Sequence, residues 1–409
     1  MNNSQLPEGY KLTEVGVIPE DWEVRSLGQI GEALIGLTYQ PGDVRTHGTL
    51  VLRSSNIQGD SLRFEDNVFV EKEIPDRIMV RPGDILICVR NGSRDLIGKT
   101  ALLDERTAGM TFGAFMAVFR SPNGNFINYI FQSRIIKKQT NEHLGATINQ
   151  ITNKSLNSFL IPLPPTEIEQ RSIATALSDM DELLGGLDRL IAKKRDLKQA
   201  AMQEFLTGKT RLQGFDGEWE ETTLGEIGEC IIGLTYKPEN VVKYGLLVLR
   251  SSNVQNGQLA YADNVYVNLR VADHLVTRIG DILICVRNGS RALIGKCAVI
   301  NANAAGLTFG AFMSIYRTNY WRFIAHTFQS DDIQKQIRDN IGATINQITN
   351  KDMKAFRVLL PPENEQIAIA SILSDMDTEI AAIEQRRNKT RNLKQAMMQE
   401  LLTGRIRLV

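Results

Sequence analysis

The chain has 409 residues and a mass of 45.7 kDa, which is more than one ordinary domain needs and indicates two or three packed units. Hydrophobic residues make up 43% and charged residues 23%, so the chain can build real cores and is not a disordered tail. The sequence contains no run of about 18 apolar residues, and residues 1–16 lack the apolar stretch of a signal peptide. We therefore expect a cytoplasmic protein without a membrane partner, whose four cysteines stay reduced.

The charges balance, with 47 Lys and Arg against 47 Asp and Glu. A net charge of zero argues against a chain that wraps nucleic acid through bulk positive charge. Any nucleic-acid role must therefore depend on local patches or on charge that partner proteins supply.

The first part of the chain is predicted to mix strands and helices. Apolar runs at 50–52 and 84–89 are typical of buried strands, and residues 128–139 are predicted to form a helix.

Three short polar segments of this first part carry side chains that can bind nucleic acid. Arginine can bind guanine with two hydrogen bonds and asparagine can bind adenine, while serine and backbone amides suit phosphate. Solvated turns have the same composition, so each segment alone is weak support. The candidate DNA-binding residues are Arg53, Ser54 and Asn56 in the first segment, Arg90, Asn91, Ser93 and Arg94 in the second, and Asn149 and Gln150 within 147–154 in the third.

A long helix is predicted to follow the proline pair Pro164-Pro165. Thr166 and Glu169 have the spacing of a capping box, and apolar residues then recur at steps of four and three as far as Ile191. The helix is expected to cover 166–207 and to end at Gly208, because glycine suits the left-handed position after a helix.

The chain then repeats itself. Residues 233–351 match 36–154 at 66 of 119 positions with a constant offset of 197 and no insertion, so two duplicated domains are predicted. The repeated segments are GLTY at 36–39, LVLRSSN at 50–56, GDILICVRNGSR at 83–94, TFGAFM at 111–116 and GATINQITNK at 145–154. The second set of candidate DNA-binding residues is Arg250, Ser251, Asn253, Arg287, Asn288, Ser290, Arg291, Asn346 and Gln347, with Thr344 at the start of its third segment.

A second long helix is predicted at 363–403, after Pro361-Pro362 and with the same apolar stripe. Two stripes of nearly equal length favour an intramolecular coiled coil between the helices. The alternative is that each stripe packs only on its own domain.

Signals of catalysis are absent from the sequence. The four histidines, His47, His143, His274 and His326, have no histidine at the matching position of the other repeat. Cys88 and Cys285 lie inside apolar strands, where a buried thiol is more common than a nucleophile. We find no metal-binding spacing, no phosphate-binding loop, no dinucleotide fingerprint and no Asn/Asp-Pro-Pro-Tyr/Phe segment, and so predict no catalytic residues, no metal site and no cofactor bound by this chain.

The motifs around the long helices resemble those of the DNA-specificity subunit of type I restriction-modification systems. The first proline pair is followed by Glu-Gln at 169–170 and the second by Glu-Gln at 365–366. Both helices end in Leu-Lys-Gln-Ala-x-Met-Gln-Glu-x-Leu-Thr-Gly, at 197–208 and 393–404. The opening residues 16–22 and the segment 83–86 are similar to that family too, so the likeness covers nearly the whole chain.

The resemblance implies an α+β architecture with pseudo-two-fold symmetry. Two target-recognition domains, 1–163 and 209–360, are joined by long spacer helices in 164–208 and 361–409 that pack antiparallel as a coiled coil. Each domain is expected to read half of a split site in double-stranded DNA. The implied partners are two methyltransferase subunits that modify adenine at N6 and, in the full complex, restriction subunits; S-adenosylmethionine, ATP and Mg²⁺ are expected on those partners.

The similarity of the two halves sets this chain apart from family members with dissimilar halves. Equal readers related by a two-fold axis should read the same half-site on opposite strands, so we predict an interrupted near-palindrome. Two other functions stay open at this stage: a metal-dependent nuclease acting alone, and a protein-binding coiled-coil scaffold.

Overall fold

The computed structural model describes residues 6–144, 149–341 and 346–408. The chain divides into two units by internal contacts. Unit 1 combines residues 1–188 with 386–409, and unit 2 is the continuous stretch 189–385. Both boundaries fall inside long helices, so each unit contains a part of each of them.

Unit 1 is built from short strands and helices that lead into the first long helix, only part of which belongs to this unit. They are β1 Tyr10–Thr13, β2 Gly16–Pro19, β3 Glu23–Ser26, α1 Leu27–Ile30, β4 Glu32–Ile35, β5 Val44–Arg45, β6 Thr49–Leu52, β7 Ile57–Gln58, β8 Ser61–Leu62, β9 Phe69–Val70, β10 Ile85–Cys88, β11 Thr100–Leu102, β12 Thr111–Phe112, β13 Met116–Arg120, α2 Gly124–Gln132, α3 Arg134–His143, α4 Asn153–Ser158, β14 Leu160–Leu163 and α5 Glu167–Phe205.

Two four-stranded sheets form the centre of unit 1. One has the order β11-β10-β13-β4 with every pair antiparallel, and the other has the order β12-β6-β9-β5 with β12 and β6 parallel. The pairs β1-β2, β7-β8 and β14-β3 are two-stranded. The fold therefore mixes helices with mainly antiparallel sheets, as the predicted α+β class requires.

Strand β10 separates two hydrophobic cores, which explains its unbroken apolar sequence. Ile85, Ile87 and Val89 lie in a core that also contains residues of the long helices. Leu86 and Cys88 point into the other core, beneath β6 and β12. Alternate side chains of a strand point to opposite faces, so a strand with two buried faces needs apolar residues at every position. The strand predicted at 84–89 is thus confirmed.

Unit 2 repeats this plan. Its elements are β15 Glu220–Thr223, α6 Leu224–Ile227, β16 Glu229–Ile232, β17 Val241–Val242, β18 Leu246–Leu249, β19 Val254–Gln255, β20 Gln258–Leu259, β21 Val265–Val267, β22 Ile282–Cys285, β23 Cys297–Val299, β24 Thr308–Phe309, β25 Met313–Arg317, α7 Trp321–Thr327, α8 Asp331–Asn340, α9 Asn350–Ala355, β26 Arg357–Leu360 and α10 Glu363–Leu401. The sheet orders β16-β25-β22-β23 and β17-β21-β18-β24 correspond to those of unit 1, and β22 divides two cores as β10 does.

The helix predicted at 128–139 is wrong as a single element. The structure has α2 and α3 instead, with Ser133 between them in an extended conformation. The Ser133 hydroxyl donates to the carbonyl of Ile130 at 2.6 Å, and such a local side-chain bond competes with helix continuation. The periodicity of apolar residues alone did not reveal this interruption.

The two long helices are confirmed close to their predicted ends. Helix α5 covers Glu167–Phe205 and α10 covers Glu363–Leu401, each two residues shorter at its end than predicted. The Thr166 hydroxyl accepts from the Glu169 amide at 3.2 Å, as expected of a helix cap. Gly208 and Gly404 have φ of 69° and 68°, the left-handed conformation predicted for them. No helix among the described residues is both long and apolar enough to cross a membrane.

Within unit 1 the parts of α5 and α10 run antiparallel. Asp181 of α5 pairs with Lys394 at 2.6 Å, and Asp188, one heptad later, pairs with the earlier residue Arg387 at 3.2 Å. The apolar residues of both helices and of the sheet share one core, which includes Ile173, Leu177, Leu401 and Leu402.

Unit 2 contains the complementary parts in the same arrangement. Lys194 and Lys198 of α5 pair with Glu379 and Asp377 of α10, both at 2.6 Å, again in opposite chain directions. Met202 and Leu206 lie in one core with Ile369 and Leu373 and with residues of the domain. The two stripes therefore share a core with each other in both units, and the alternative that each stripe packs only on its own domain is wrong.

Candidate nucleic-acid interface

Four strands of unit 1 end at one edge of the two sheets. Strands β4 and β10 both pair antiparallel with β13 and so run in one direction, while β6 and β12 are parallel. The loops that follow them are tied together by backbone hydrogen bonds, such as Gly113 N–H to Leu52 O at 3.0 Å and Arg90 N–H to Phe115 O at 3.1 Å. We call the surface of residues 53–56, 90–94, 113–115 and 149–150 the loop edge of unit 1.

The three predicted polar segments meet at this loop edge. The Asn91 side chain donates to the Ser54 hydroxyl at 3.2 Å, and the Asn149 side chain donates to the Gly92 carbonyl at 3.2 Å. The backbone of Arg90 forms a bridge with Gln150. Segments about 40 to 60 residues apart in sequence are thus joined into one surface.

Unit 2 has the same loop edge, formed by residues 250–253, 287–291, 310–312 and 346–347. The Asn288 side chain donates to the Ser251 hydroxyl at 3.2 Å, and Asn346 donates to the Gly289 carbonyl at 2.9 Å. Arg287 forms a bridge with Gln347. Each contact thus has its counterpart in unit 1. Thr147 and Thr344, the first residues of the third segments, lie outside the described residues.

Serine and asparagine residues of the second segment shape their own loop. The Asn91 side-chain oxygen accepts from the Ser93 amide at 3.0 Å, and Asn288 does the same for Ser290. Such a turn leaves the serine hydroxyl exposed to solvent. Asn91 therefore positions the loop, and its amide nitrogen is already shared with Ser54.

The candidate arginines differ in how their charge is used. Arg53 and Arg250 each hold an aspartate, Asp66 and Asp263, at 2.8 Å, and their side chains are only one-third exposed. Arg94 is exposed, and Arg291 is exposed while donating to the Ile341 carbonyl at 3.2 Å. Arg90 and Arg287 are exposed at the centre of each loop edge. Each loop edge therefore presents one arginine that is paired with an aspartate beside exposed arginines for which the described residues supply no carboxylate.

Asn56 and Asn253 cannot contact DNA in this conformation, which corrects the prediction for this pair. Both are fully buried. The Asn56 side-chain oxygen accepts from the Arg53 amide at 2.9 Å, and its nitrogen donates to the Arg63 carbonyl at 2.9 Å; Asn253 makes the equivalent bonds. A buried amide with its bonds satisfied holds a turn and has no group left for a ligand.

Phe115 and Phe312 are functional candidates that the sequence analysis did not name. They are 59% and 56% exposed, which is unusual for phenylalanine, and each lies beside the central arginine of its loop edge. Both belong to the repeated segment TFGAFM. Its repetition is the signal in the sequence that marks these two residues.

The chemistry of the loop edges favours recognition over catalysis. Burial raises the pKa of the Cys88 and Cys285 thiols, which makes them poor nucleophiles, and both are fully buried as predicted. In the stretches 6–144, 149–341 and 346–408, no three His, Cys, Asp or Glu side chains form a group that could hold a metal ion. Hydrogen-bond donors and free arginines at a rigid strand edge suit the binding of an anionic, hydrogen-bonding surface such as a DNA groove.

Comparison with known proteins gives a consistent result. The family model described as "Type I restriction modification DNA specificity domain" matches residues 19–192 and again 216–391. The chain is 29% identical to the putative type I restriction enzyme MjaX specificity subunit of Methanocaldococcus jannaschii, over 98% of this chain and 97% of that protein. It is also 29% identical to the EcoKI specificity subunit of Escherichia coli K12, over 46% of this chain and 43% of that protein.

A solved structure has the same fold. The type I restriction-modification S subunit of M. genitalium matches 96% of this chain and 98% of its own with a TM-score of 0.57 at 17% identity.

Proposed function

Because the chain belongs to the type I restriction-modification DNA specificity family, we propose that each loop edge reads one half of a bipartite DNA site. The family recognises DNA, and its members are non-catalytic specificity subunits. This chain is likewise a non-catalytic specificity subunit.

One observation carries this proposal. Three polar loops that are distant in sequence come together at the same strand edge in both units, with matching side-chain hydrogen bonds: Asn91 to Ser54 and Asn149 to Gly92 in unit 1, Asn288 to Ser251 and Asn346 to Gly289 in unit 2. Two equivalent reading sites need the same polar groups at the same places, and these contacts supply them in both units.

The same duplication supports a near-palindromic site. Equal readers take equal half-sites, and we propose that the two readers bind opposite strands. The units differ most in residues 58–81 against 255–278 and in 121–144 against 318–341. If the half-sites differ, we expect the cause in these segments.

We further propose that the bound chain recruits partner subunits. These are two adenine-N6 methyltransferase subunits, which use S-adenosylmethionine, and restriction subunits, which use ATP and Mg²⁺. The zero net charge of the chain fits this role, because partners can supply much of the phosphate contact that gives DNA binding its general affinity.

Sequencing of methylated adenines tests the proposal. The chain and its methyltransferase partner are expressed in a host without adenine methylation, and the modified sites are mapped. We expect one split motif whose halves are reverse complements, or nearly so, at a fixed gap. Two unrelated half-motifs would refute the near-palindrome, and methylation without a sequence preference would refute the proposed function itself.

Matched variants assign each half of the motif to a unit. Asn91→Ala is expected to relax the half read by unit 1 and Asn288→Ala the half read by unit 2. An equal effect of either variant on both halves would contradict independent readers.

A further inference from the structure

An arginine is stacked on an exposed phenylalanine at the centre of each loop edge. The guanidinium carbon of Arg90 lies 5.0 Å from the ring centre of Phe115, and that of Arg287 lies 5.1 Å from the ring centre of Phe312. A guanidinium group over an aromatic ring is attracted to the ring face, and its planar set of N–H donors can still bind another group.

The backbone sets this pair in place before any ligand arrives. The amides of Val89 and Arg90 both donate to the carbonyl of Phe115, at 3.2 and 3.1 Å. The equivalent amides of Val286 and Arg287 donate to the Phe312 carbonyl, both at 3.1 Å. The main chain of each arginine is also bridged to a glutamine of the third segment. Both residues lie in loops, but hydrogen bonds next to the strand ends hold their backbone.

The charge of the stacked arginines is unused. Within the part of the chain that the structure describes, no carboxylate lies within 4.0 Å of Arg90 or Arg287, whereas the neighbouring Arg53 and Arg250 are each occupied by an aspartate at 2.8 Å. The Phe115 ring, 59% exposed, also keeps an apolar surface at the same point.

We infer that Arg90 and Arg287 each bind one guanine through its O6 and N7 atoms, and that Phe115 and Phe312 position the guanidinium for this. The inference rests on the proposed function and names the specificity-determining residues. A phosphate contact needs only a positive charge at the right distance. The planar fork of a guanidinium that no described carboxylate neutralises matches two acceptors that lie in the plane of a base. Each half-site therefore contains a guanine at the equivalent position.

Duplex DNA with modified guanines tests this directly. Once the motif is known, each guanine of one half-site is replaced in turn by 7-deazaguanine, which lacks N7, and binding of the chain in complex with its methyltransferase partner is titrated. We expect one position in each half-site at which affinity falls roughly ten-fold.

The arginine variants connect that position to the residue. With Arg90→Ala, the same position is expected to become insensitive to 7-deazaguanine, since the contact is already lost, while the other half-site stays sensitive. Arg90→Lys keeps the charge but not the planar pair of donors, so it should behave like the alanine variant.

Arg106→Ala is the matched control. Arg106 also lies over a ring, 5.7 Å from the centre of Phe64, but it is held by Asp104 at 2.7 Å, so no effect is expected.

Other outcomes would contradict this inference without contradicting the proposed function. If Arg90→Ala weakens binding to every sequence alike and lowers the salt dependence by about one counterion, Arg90 binds phosphate. Additive effects of Arg90→Ala and 7-deazaguanine, a full rescue by lysine, or a motif without guanine in either half would contradict it as well. The proposed function fails only if the unmodified complex shows no preference for its own motif.

Discussion

His326 of unit 2 and Tyr129 of unit 1 occupy equivalent positions beside a long helix. The Tyr129 hydroxyl donates to Asp181 at 2.9 Å. The ring of His326 bonds to Ser374 at 3.1 Å, and its other nitrogen lies 4.0 Å from Asp377, which Lys198 already neutralises at 2.6 Å. The histidine is thus buried beside an ion pair that is complete without it.

We predict that unit 2 loses stability in mild acid through this histidine. Burial, and then the charge of Lys198, lower the pKa of His326 from 6.5 to about 4. The folded state keeps the ring neutral while the unfolded chain takes up a proton below about pH 6.5, so stability falls as the pH drops from about 6.5 to about 4. The slope is at most about 1.4 kcal/mol per pH unit.

His326→Tyr, which copies unit 1, is expected to remove this component. Urea unfolding of both proteins at pH 7, 6 and 5 measures it, with the fluorescence of Trp219 and Trp321 as the signal from unit 2. As the pH falls, the urea midpoint of His326→Tyr should rise steadily relative to that of the unchanged protein. Parallel pH profiles would show that His326 does not titrate differently on folding.

Asn56 shows that repetition of a residue in both halves does not by itself indicate that the residue binds a ligand. It is identical in both repeats, and so are Asp84, which holds Arg120 at 2.7 Å, and the exposed Phe115. Asn56 and Asp84 are buried and serve the fold, whereas Phe115 is exposed. The sequence separates repeated from variable positions, but burial, which depends on the whole fold, decides which repeated residues can meet a ligand.

At the scale of elements, an arginine beyond each long helix binds a buried glutamate at the start of the other. Arg407, after α10, contacts Glu169 in the first turn of α5 at 2.8 Å, and also Asp21 at 3.0 Å. Arg211, after α5, contacts Glu365 in the first turn of α10 at 2.6 Å. Glu169 is 1% and Glu365 0% exposed. Each unit therefore contains one such pair between its two helix segments.

We predict that each pair stabilises its own unit. Arg407→Ala leaves the buried Glu169 carboxylate without its cation, which typically costs about 3 kcal/mol or more. Hydrogen exchange of strand β10 should then rise while that of β22 stays unchanged, and Arg211→Ala should give the opposite pattern.

The exposed pair of Arg171 with Glu167 provides the control for these variants. Its side chains are 74% and 63% exposed, so Arg171→Ala should change stability by about 0.5 kcal/mol or less. Equal acceleration of exchange in both units by Arg407→Ala would contradict the assignment of each pair to one unit.

The elements divide clearly into those that local sequence specifies and those that it does not. The long helices were predicted to within two residues at their C-terminal ends, because proline pairs, an apolar stripe and terminal glycines are all local signals. The break at Ser133 and the assembly of the loop edge were not predicted. The hydrogen bond between Asn91 and Ser54 joins residues 37 positions apart, and such pairings follow from sheet topology rather than from any nearby pattern.

At the scale of the whole molecule, we predict that helix length sets the gap between the half-sites. Helices α5 and α10 have 39 residues each. Removing one heptad from both, residues 184–190 and 380–386, shortens each by about 10 Å. The preferred gap in the methylated motif should then shrink by about three base pairs, or assembly should be lost.

Deletion from α5 alone is the control for this experiment. It leaves the two helices unequal by one heptad, so residues that pair with each other are displaced by about 10 Å, and this should prevent folding rather than change the gap. An unchanged gap with both helices shortened and the complex intact would show that the spacing is set elsewhere.

The division of unit 1 into two separate stretches of chain affects the order of events on the ribosome. Unit 2 is continuous and can complete its cores once residue 385 has emerged, whereas unit 1 waits for Leu401 and Leu402 to cover Ile173 and Leu177. Unit 1, most of which is translated first, therefore completes its hydrophobic core last. During that interval its apolar helix face is open to chaperones, and to the matching helix of a second nascent chain.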